Sequence, residues 1–363
     1  MKTKAAIYEG NGAPFVKIET INLEPPRDNE ILVRLVSVGI CHTDLGMMSP
    51  LSMVPAPIVL GHEGAGIIEA IGSEVSEFSI GDSVILSIDN CGICSSCNDE
   101  NPAYCEEMLL RHFSGGRPDG SSPLSQDGNR VNGNFFAQSS FARHAIAPAS
   151  AAVKISPEVP LALMAPMGCG IQTGAGTVFN ILKPKSGEGI AVFGVGTVGL
   201  SAIMAAKIAN CSPIIAIDII PERLDLAREL GADILINGQE DDALETIKTA
   251  TNQRGIEYSF DTTGQENVIQ QAFSSLYKNG ECILAVAYDD LKVNGMELIL
   301  GKSIRGTLEG QSNPKQFIPH LISLYQAGKL PIDKLVKYYD FDDINQALDD
   351  AKNGKTIKPI LLF

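Results

Sequence analysis

Apolar positions follow two different rhythms along the chain. In the first 150 residues they form short runs at 4–8, 31–39, 65–71 and 82–88, rich in β-branched side chains and bounded by Gly, Pro or Asn. Such runs predict strands joined by turns. Residues 106–140, with the glycine-rich polar stretch RHFSGGRPDGSSPLSQDGNRVNGN, show no period. They predict a long irregular loop, which inside a compact domain is functional or disordered. Phe135 and Phe136 at its end predict a return to an apolar surface. From about residue 161 the rhythm alternates. It predicts a glycine-interrupted helix at 161–182, then strand 190–193, helix 197–209, strand 214–218, helix 221–230, strand 256–261, a helix near 266–277 and strand 282–286. Alternation of this kind builds a parallel, doubly wound sheet. Ile344, Ala347, Leu348 and Ala351 follow i, i+3, i+4, i+7, so 343–352 reads as an amphipathic helix. No internal repeat or low-complexity tract interrupts this plan.

Length and charge narrow the picture. The 363 residues fit two or three domains at roughly 150 residues each. With 44% apolar and 20% charged residues, the composition is that of a soluble globular protein rather than a disordered one. A net charge of −15, with no block of five basic residues, argues against nucleic acid and anionic lipid as partners. The start, MKTKAAIYEG, has no apolar core and meets Glu9 early, so no secretion signal is expected. The longest weakly polar run, 190–206, is broken by glycines and ends at Lys207, too short to span a bilayer. The expected location is the cytoplasm.

The strand IAVF leads into Gly194, Gly196 and Gly199 in the pattern G-x-G-x-x-G, and a helix follows. The first glycine permits the tight turn, the second admits a pyrophosphate close to the backbone, and the third lets helix and strand pack. The helix N-terminus offers free N–H groups to phosphate oxygens. Asp218 ends the next strand, 19 residues after Gly199. A carboxylate there accepts hydrogen bonds from ribose hydroxyls and repels a 2′-phosphate, favouring NAD over NADP; Arg223, close behind, softens that preference.

Cys91, Cys94, Cys97 and Cys105 bring four sulfurs together within fifteen residues. With no secretion signal expected, such clustering points to metal rather than disulfides. Four soft ligands suit a closed tetrahedral zinc, which is a structural site. An iron–sulfur cluster of the bacterial ferredoxin type needs three residues before the last cysteine and a proline after it. Here seven intervene and Glu106 follows. A nucleic-acid zinc ribbon is disfavoured by the acidic charge. A second constellation lies in three distant fragments: Cys41 in CHTD, His62 in GHEGAG and Cys169 in GCG. Each alone is ambiguous. Together they offer the Cys₂His set of a catalytic zinc, the set by which alcohol dehydrogenases hold theirs.

With GHEGAGIIEAIG, the four-cysteine lobe and GVGTVGL in this order and spacing, the chain resembles the zinc-dependent medium-chain alcohol dehydrogenases nearly end to end. CHTDL, NPAYC, FFAQSSFA, GCGIQTGAG and FIPHLISLYQAGKLP are similar to the aryl-alcohol (benzyl-alcohol) dehydrogenase branch. The resemblance implies an α/β fold: a Rossmann doubly wound parallel sheet plus a discontinuous, mainly β catalytic domain of GroES-like type with a structural zinc lobe. Residues 1–165 and 305–363 would form the catalytic part and 166–304 the NAD-binding part. It implies two zincs per chain, NAD as cofactor, and reversible oxidation of a primary, benzyl-type alcohol to its aldehyde. Cys41, His62 and Cys169 would hold the catalytic zinc. Glu63 would sit beside it and exchange onto it, Asp44 would orient the site, and Thr43 would bond the substrate hydroxyl. His42 and Lys358 would reach the pyrophosphate, and Thr173 the nicotinamide. The resemblance also implies a homo-oligomer, dimer or tetramer.

One departure stands out. Where many relatives carry a proton-relaying histidine just after CxTD, this chain has Gly46. On this resemblance the relay would then run from Thr43 through the cofactor ribose to water, or would involve His42. His112, His144 and His320 lack paired ligands and read as surface or core groups; Cys211 and Cys282 read as packing. Met47, Met48 and Met53 either line a pocket or fill core, and the acidic run 240–242 reads as a solvated helix start. Two other readings compete: an aliphatic or polyol dehydrogenase on the same scaffold, and a zinc- and NAD-binding protein without turnover.

Overall fold

A computed structural model describes residues 1–50, 52–286 and 290–363. The chain folds into two compact units. One holds Met1–Cys169, Asn313–Ser323 and Ile332–Phe363; the other holds Gly170–Ser312 and Leu324–Pro331.

Among the described residues the first unit contains two sheets. The smaller runs in the order Ile58–Val59, Lys2–Tyr8, Lys17–Leu23, Leu124–Gln126, Asn129–Val131. The larger runs Ala152–Ile155, Ser83–Leu86, Glu63–Ile71, Glu30–Gly39, Lys358–Leu362, Val336–Asp340, with His144–Pro148 also pairing to Glu30–Gly39. One register matters most. Gly39 lies opposite Glu63 on one side and Ile360 on the other. The sheet therefore carries Lys358, five residues from the C-terminus, to the segment around residue 63. Ile7, Val38, Ile58, Phe135, Phe141, Ile344 and Leu361 share the core beneath these strands. Burying such a side chain stabilises by about 1.5–3 kcal/mol. The amphipathic helix expected at 343–352 forms as Ile344–Lys352, with Ile344, Ala347, Leu348 and Ala351 buried.

Residues 106–140 are not an irregular loop. They contain helix Met108–Phe113, a hairpin of Leu124–Gln126 with Asn129–Val131, and a short turn at Phe135–Ala137. Gln126 pairs with Asn129 across Asp127–Gly128, both at positive φ (49° and 80°). That is the Asp-Gly hairpin turn, whose twist matches the strands it joins. The segment is fastened by Arg117, which is buried and forks onto Glu30 at 2.6 and 2.9 Å while also reaching Glu24 at 2.8 Å. Side-chain pairing of this kind leaves no hydrophobic period to read.

The second unit has a fully parallel sheet of six strands among the described residues, ordered Ile234–Asn237, Ile214–Asp218, Ile190–Phe193, Ile256–Asp261, Leu276–Leu284, Ser303–Gly306. Ile190–Phe193 and Ile214–Asp218 are buried along their whole length, as a doubly covered parallel sheet requires. Two expected elements differ. The glycine-interrupted helix expected at 161–182 is instead several short pieces: Leu161–Met164, a tight turn at Ala165–Gly168, a non-helical Cys169, helix Gly170–Gly176 and a wide turn at Thr177–Leu182. Pro166 lacks an N–H for a helical ladder, and Gly168 packs so tightly that a Cβ would lie 2.3 Å from the Leu86 carbonyl oxygen. The helix expected to reach 277 stops at Ser274, and the strand expected at 282–286 spans Leu276–Leu284. The polar stretch Lys278–Asn279–Gly280 inside that strand, with Asn279 at φ 62°, hides it from a hydrophobic pattern. The acidic run does start a helix: Asp242 caps Ala243–Ala250, its carboxylate accepting the Glu245 N–H. The pairing of a mainly β unit with a doubly wound parallel sheet is the fold class expected.

Candidate active site

Cys41, His62, Glu63 and Cys169 direct their donor atoms to one point, all within 4.8 Å of one another. The sheet explains why. Cys41 follows strand Glu30–Gly39, while His62 and Glu63 stand where strand Glu63–Ile71 begins. Gly61 makes the approach at φ 88°, with Phe141 packed where a Cβ would be. Asp44 is the buried clasp. Its Oδ2 accepts the Cys41 N–H at 2.9 Å, and its Oδ1 accepts the Gly61 N–H at 3.1 Å and meets His62 Nδ1 at 2.9 Å. One carboxylate thus fixes two donors and sets which ring nitrogen is turned inward. His62 Nε2 is buried with no hydrogen-bond partner, an arrangement a metal ion completes.

The electrostatics fit the same reading. Hydrogen bonding with Cys169 holds the Cys41 thiol well below its ordinary range, against the opposing effect of burial; His62 and Lys358 add to the lowering. Burial disfavours a charge on His62, but the Asp44 carboxylate outweighs it and raises the imidazole pKa. Two sulfurs, an imidazole nitrogen and a carboxylate in a buried pocket suit zinc. Thr43 Oγ1 stands 3.6 Å from the Cys41 sulfur, beside the donor set. Lys358, expected at a pyrophosphate, instead places its ammonium on Glu63 at 2.8 and 2.9 Å and on the Ile40 carbonyl at 3.0 Å. Burial alone would discharge it; the Glu63 carboxylate overrides this and raises its pKa. His42, the first residue of helix His42–Met47, is exposed, and no heavy atom lies within 4 Å of a Cβ at Gly46.

Cys91, Cys94, Cys97 and Cys105 form the second cluster, also within 4.8 Å of one another. Cys94 and Cys97 sulfurs lie 3.4 Å apart and Cys91 and Cys97 sulfurs 3.9 Å. The Cys91 N–H points at the Cys105 sulfur at 3.3 Å, and the Cys94 N–H at the Cys91 sulfur at 3.4 Å, the contacts that stabilise thiolates. Four sulfurs leave no open position, so the cluster fits a closed zinc site.

In the second unit, the three glycines differ in what surrounds them. A Cβ on Gly199 would lie 2.0 Å from the Gly194 carbonyl oxygen, whereas one on Gly196 would meet nothing within 4 Å. Gly194 has φ 85°. Helix Thr197–Ile208 starts at Gly196, so open space faces a helix N-terminus, as a phosphate cradle requires. Asp218 accepts the N–H groups of Val195 (2.8 Å), Ile219 (2.8 Å) and Ile220 (3.0 Å). Its carboxylate therefore ties the glycine loop to the end of the next strand. Arg223 lies 4.0 Å from it, with a buried Nε that has no partner. Thr173 bonds to Glu309 at 3.3 Å, and the Gln172 amide donates to the same carboxylate at 3.1 Å.

Several contributors carry no clear signal in the sequence. Gln138 donates to the His62 carbonyl at 2.9 Å and accepts the Gly64 N–H at 3.0 Å, fixing the backbone on both sides of Glu63. A Cβ on Gly39 would collide with the Glu63 carboxylate. Phe136 stacks on His62, and Glu309 holds Thr173. Only the motif FFAQSSFA marked one of these regions, and nothing in it told a backbone-clamping glutamine from a solvated one. His112 and Cys282 are buried.

Residues 27–157 match the family model of the alcohol dehydrogenase GroES-like domain, and 197–327 that of zinc-binding dehydrogenase. A geraniol dehydrogenase from Castellaniella defragrans is 40% identical over 369 aligned positions, covering 100% of this chain and 98% of the relative. The crystal structure of benzyl alcohol dehydrogenase from Acinetobacter calcoaceticus superposes with a TM-score of 0.96 at 43% identity, covering 100% of this chain and 99% of the other. An alcohol dehydrogenase zinc-binding domain protein from Burkholderia ambifaria gives 0.97 at 43% identity with the same coverage. No helix among the described residues is long and apolar enough to cross a membrane.

Proposed function

The chain belongs to the zinc-binding alcohol dehydrogenase family, and on that premise we propose that it oxidises a primary alcohol whose carbinol carbon is bonded to an sp² carbon, with NAD⁺ as hydride acceptor and reversibly. Convergence of Cys41, His62, Glu63 and Cys169 is the observation that carries the chemistry. Benzyl alcohol and geraniol, named in two relatives, share the CH₂OH on an unsaturated carbon and give conjugated aldehydes.

Cys41, His62 and Cys169 are the ligands in this reading, and the four-cysteine lobe holds the second zinc. Zinc held by these residues would supply Lewis-acid polarisation of the substrate hydroxyl; for water such an ion favours the deprotonated form by about 8 pKa units, roughly 11 kcal/mol. Asp44 keeps His62 Nδ1 engaged and Nε2 inward. Thr43 accepts the hydroxyl proton of the alcohol and passes it outward. With glycine at position 46, that route ends through the cofactor ribose or at the exposed His42 rather than at a neighbouring histidine. Lys358 holds the Glu63 carboxylate. A general base by itself contributes about 3–5 kcal/mol, so the metal set carries the larger share. Gly194, Gly196 and Gly199 cradle the pyrophosphate. Asp218, with Arg223 beside it, selects the adenosine ribose, and Thr173 meets the nicotinamide. In this division of labour residues 1–165 and 305–363, together with Cys169 just past the first boundary, supply the zinc chemistry, and the rest of 166–304 supplies the dinucleotide site.

The test offers zinc-loaded protein benzyl alcohol, geraniol, ethanol and sorbitol with NAD⁺ or NADP⁺, reading reduced cofactor by absorbance. Preference for the first two alcohols with NAD⁺ is expected, and Thr43→Val should abolish most turnover. A preference for ethanol or sorbitol would discard the substrate class and keep the mechanism.

A further inference from the structure

His62 is held by more than its hydrogen bond to Asp44. The ring of Phe136 stacks on it, centroids 4.5 Å apart and planes at 26°. His112 stacks in turn on Phe136, at 5.1 Å and 5°. Three rings thus run in sequence from the donor set to a buried imidazole. The middle one is held in an unusual backbone state: Phe136 has φ 48° and ψ 39°. A bulky residue in the left-handed region is an outlier that persists only where the surroundings enforce it, and such outliers concentrate at functional sites. Here Asn134 donates to the Arg111 and Gly116 carbonyls (3.2 and 3.1 Å) and Ser139 to the Val59 carbonyl (2.6 Å), clamping both sides of Phe136.

The far end of the row belongs to the four-cysteine lobe. Asp89 stands two residues before Cys91, and helix Met108–Phe113 begins three residues after Cys105. These flanks meet: the Asp89 N–H donates to His112 Nε2 at 3.1 Å, and Arg111 donates to the Asp89 carboxylate at 2.7 Å. Both chain ends leaving the lobe therefore fix the ring of His112.

We infer that Phe136 and His112 are positioning residues for the Cys41–His62–Cys169 set, and that the four-cysteine lobe, by holding His112, governs how tightly and in what geometry that set binds its metal. The inference rests on His62 being a ligand, as proposed above. The groups that orient a ligating imidazole affect affinity strongly; their loss weakens metal binding by about 10- to 100-fold.

Cobalt(II) exchanged into the three-donor set of the full chain reports its geometry through visible absorption and its affinity through competition with a chelator. Phe136→Gly removes the ring yet suits φ 48°. It should shift the cobalt spectrum and weaken cobalt about 10- to 100-fold, with the metal of the four-cysteine lobe retained. Phe136→Tyr keeps the ring and should keep the spectrum and affinity of the parent. His112→Leu should shift the spectrum in the same direction as Phe136→Gly. Parent-like spectra and affinities in Phe136→Gly or in His112→Leu would overturn the inference while the proposed function stands. A parent that binds metal only in the four-cysteine lobe would overturn both.

Discussion

Lys358→Met isolates one interaction of the site. The ammonium sits 2.8 Å from Glu63, and the two side chains are 2% and 0% exposed. At that separation the Coulomb attraction is about 6 kcal/mol for an effective dielectric near 20. Desolvation of both ions consumes much of it. What removal exposes is the cost of leaving Glu63 charged in a buried place without its cation, about 3–5 kcal/mol. Relief by movement is limited because the Glu63 carboxylate is pressed against Gly39. Methionine keeps the length of the stem, so packing changes little. The chain has no Trp, so urea unfolding is best followed by far-UV circular dichroism. Lys358→Met combined with Glu63→Leu should recover most of the loss, because replacing a whole buried pair by apolar groups is close to neutral. A Lys358→Met loss below about 1 kcal/mol, or a double variant as unstable as the two single losses added together, would refute the account of this pair.

Burial pushes His112 down to about 4, with the Asp89 carboxylate only partly opposing it, whereas an unfolded histidine titrates near 6.5. The folded state then binds fewer protons between those values. Its contribution is complete above about pH 6.5 and falls by about 3 kcal/mol as pH drops to 4; His112→Phe should flatten that part of the stability–pH curve. Gly196→Ala has open space for its methyl group and should leave the melting temperature unchanged while weakening NAD⁺ binding in calorimetry. Gly199→Ala meets the Gly194 carbonyl at 2.0 Å and should lower the melting temperature instead. Cys97→Ser should lose the lobe metal, seen as a fall from two zincs per chain to one by elemental analysis.

How legible the molecule was in its sequence depended on the kind of signal. The parallel sheet declared itself through continuous apolar strands such as Ile190–Phe193, and the donor residues through chemistry that few other residue types share. Segment 106–140 did not, because its order comes from Arg117 on Glu30 and from an Asp-Gly turn, neither of which has a period. The break at Cys169 was hidden because a glycine-rich helix and a glycine-rich series of turns share one composition. Lys358 was expected only at the pyrophosphate, through the family resemblance, and its pairing with Glu63 was not legible. Meeting Glu63 depends on the register of a strand 295 residues away in sequence. Phe136 and His112 read as ordinary apolar and isolated polar residues until their rings were placed in a row.

In the proposed function the Cys41–His62–Cys169 set drives hydride transfer to NAD⁺. The most direct measurement follows NADH absorbance with benzyl alcohol while a chelator strips that set, zinc content being counted alongside. NADH formation should stop as zinc falls from two to one per chain, with the four-cysteine lobe still loaded, and should resume when zinc is returned. Undiminished NADH formation after the three-donor set has been emptied would contradict it.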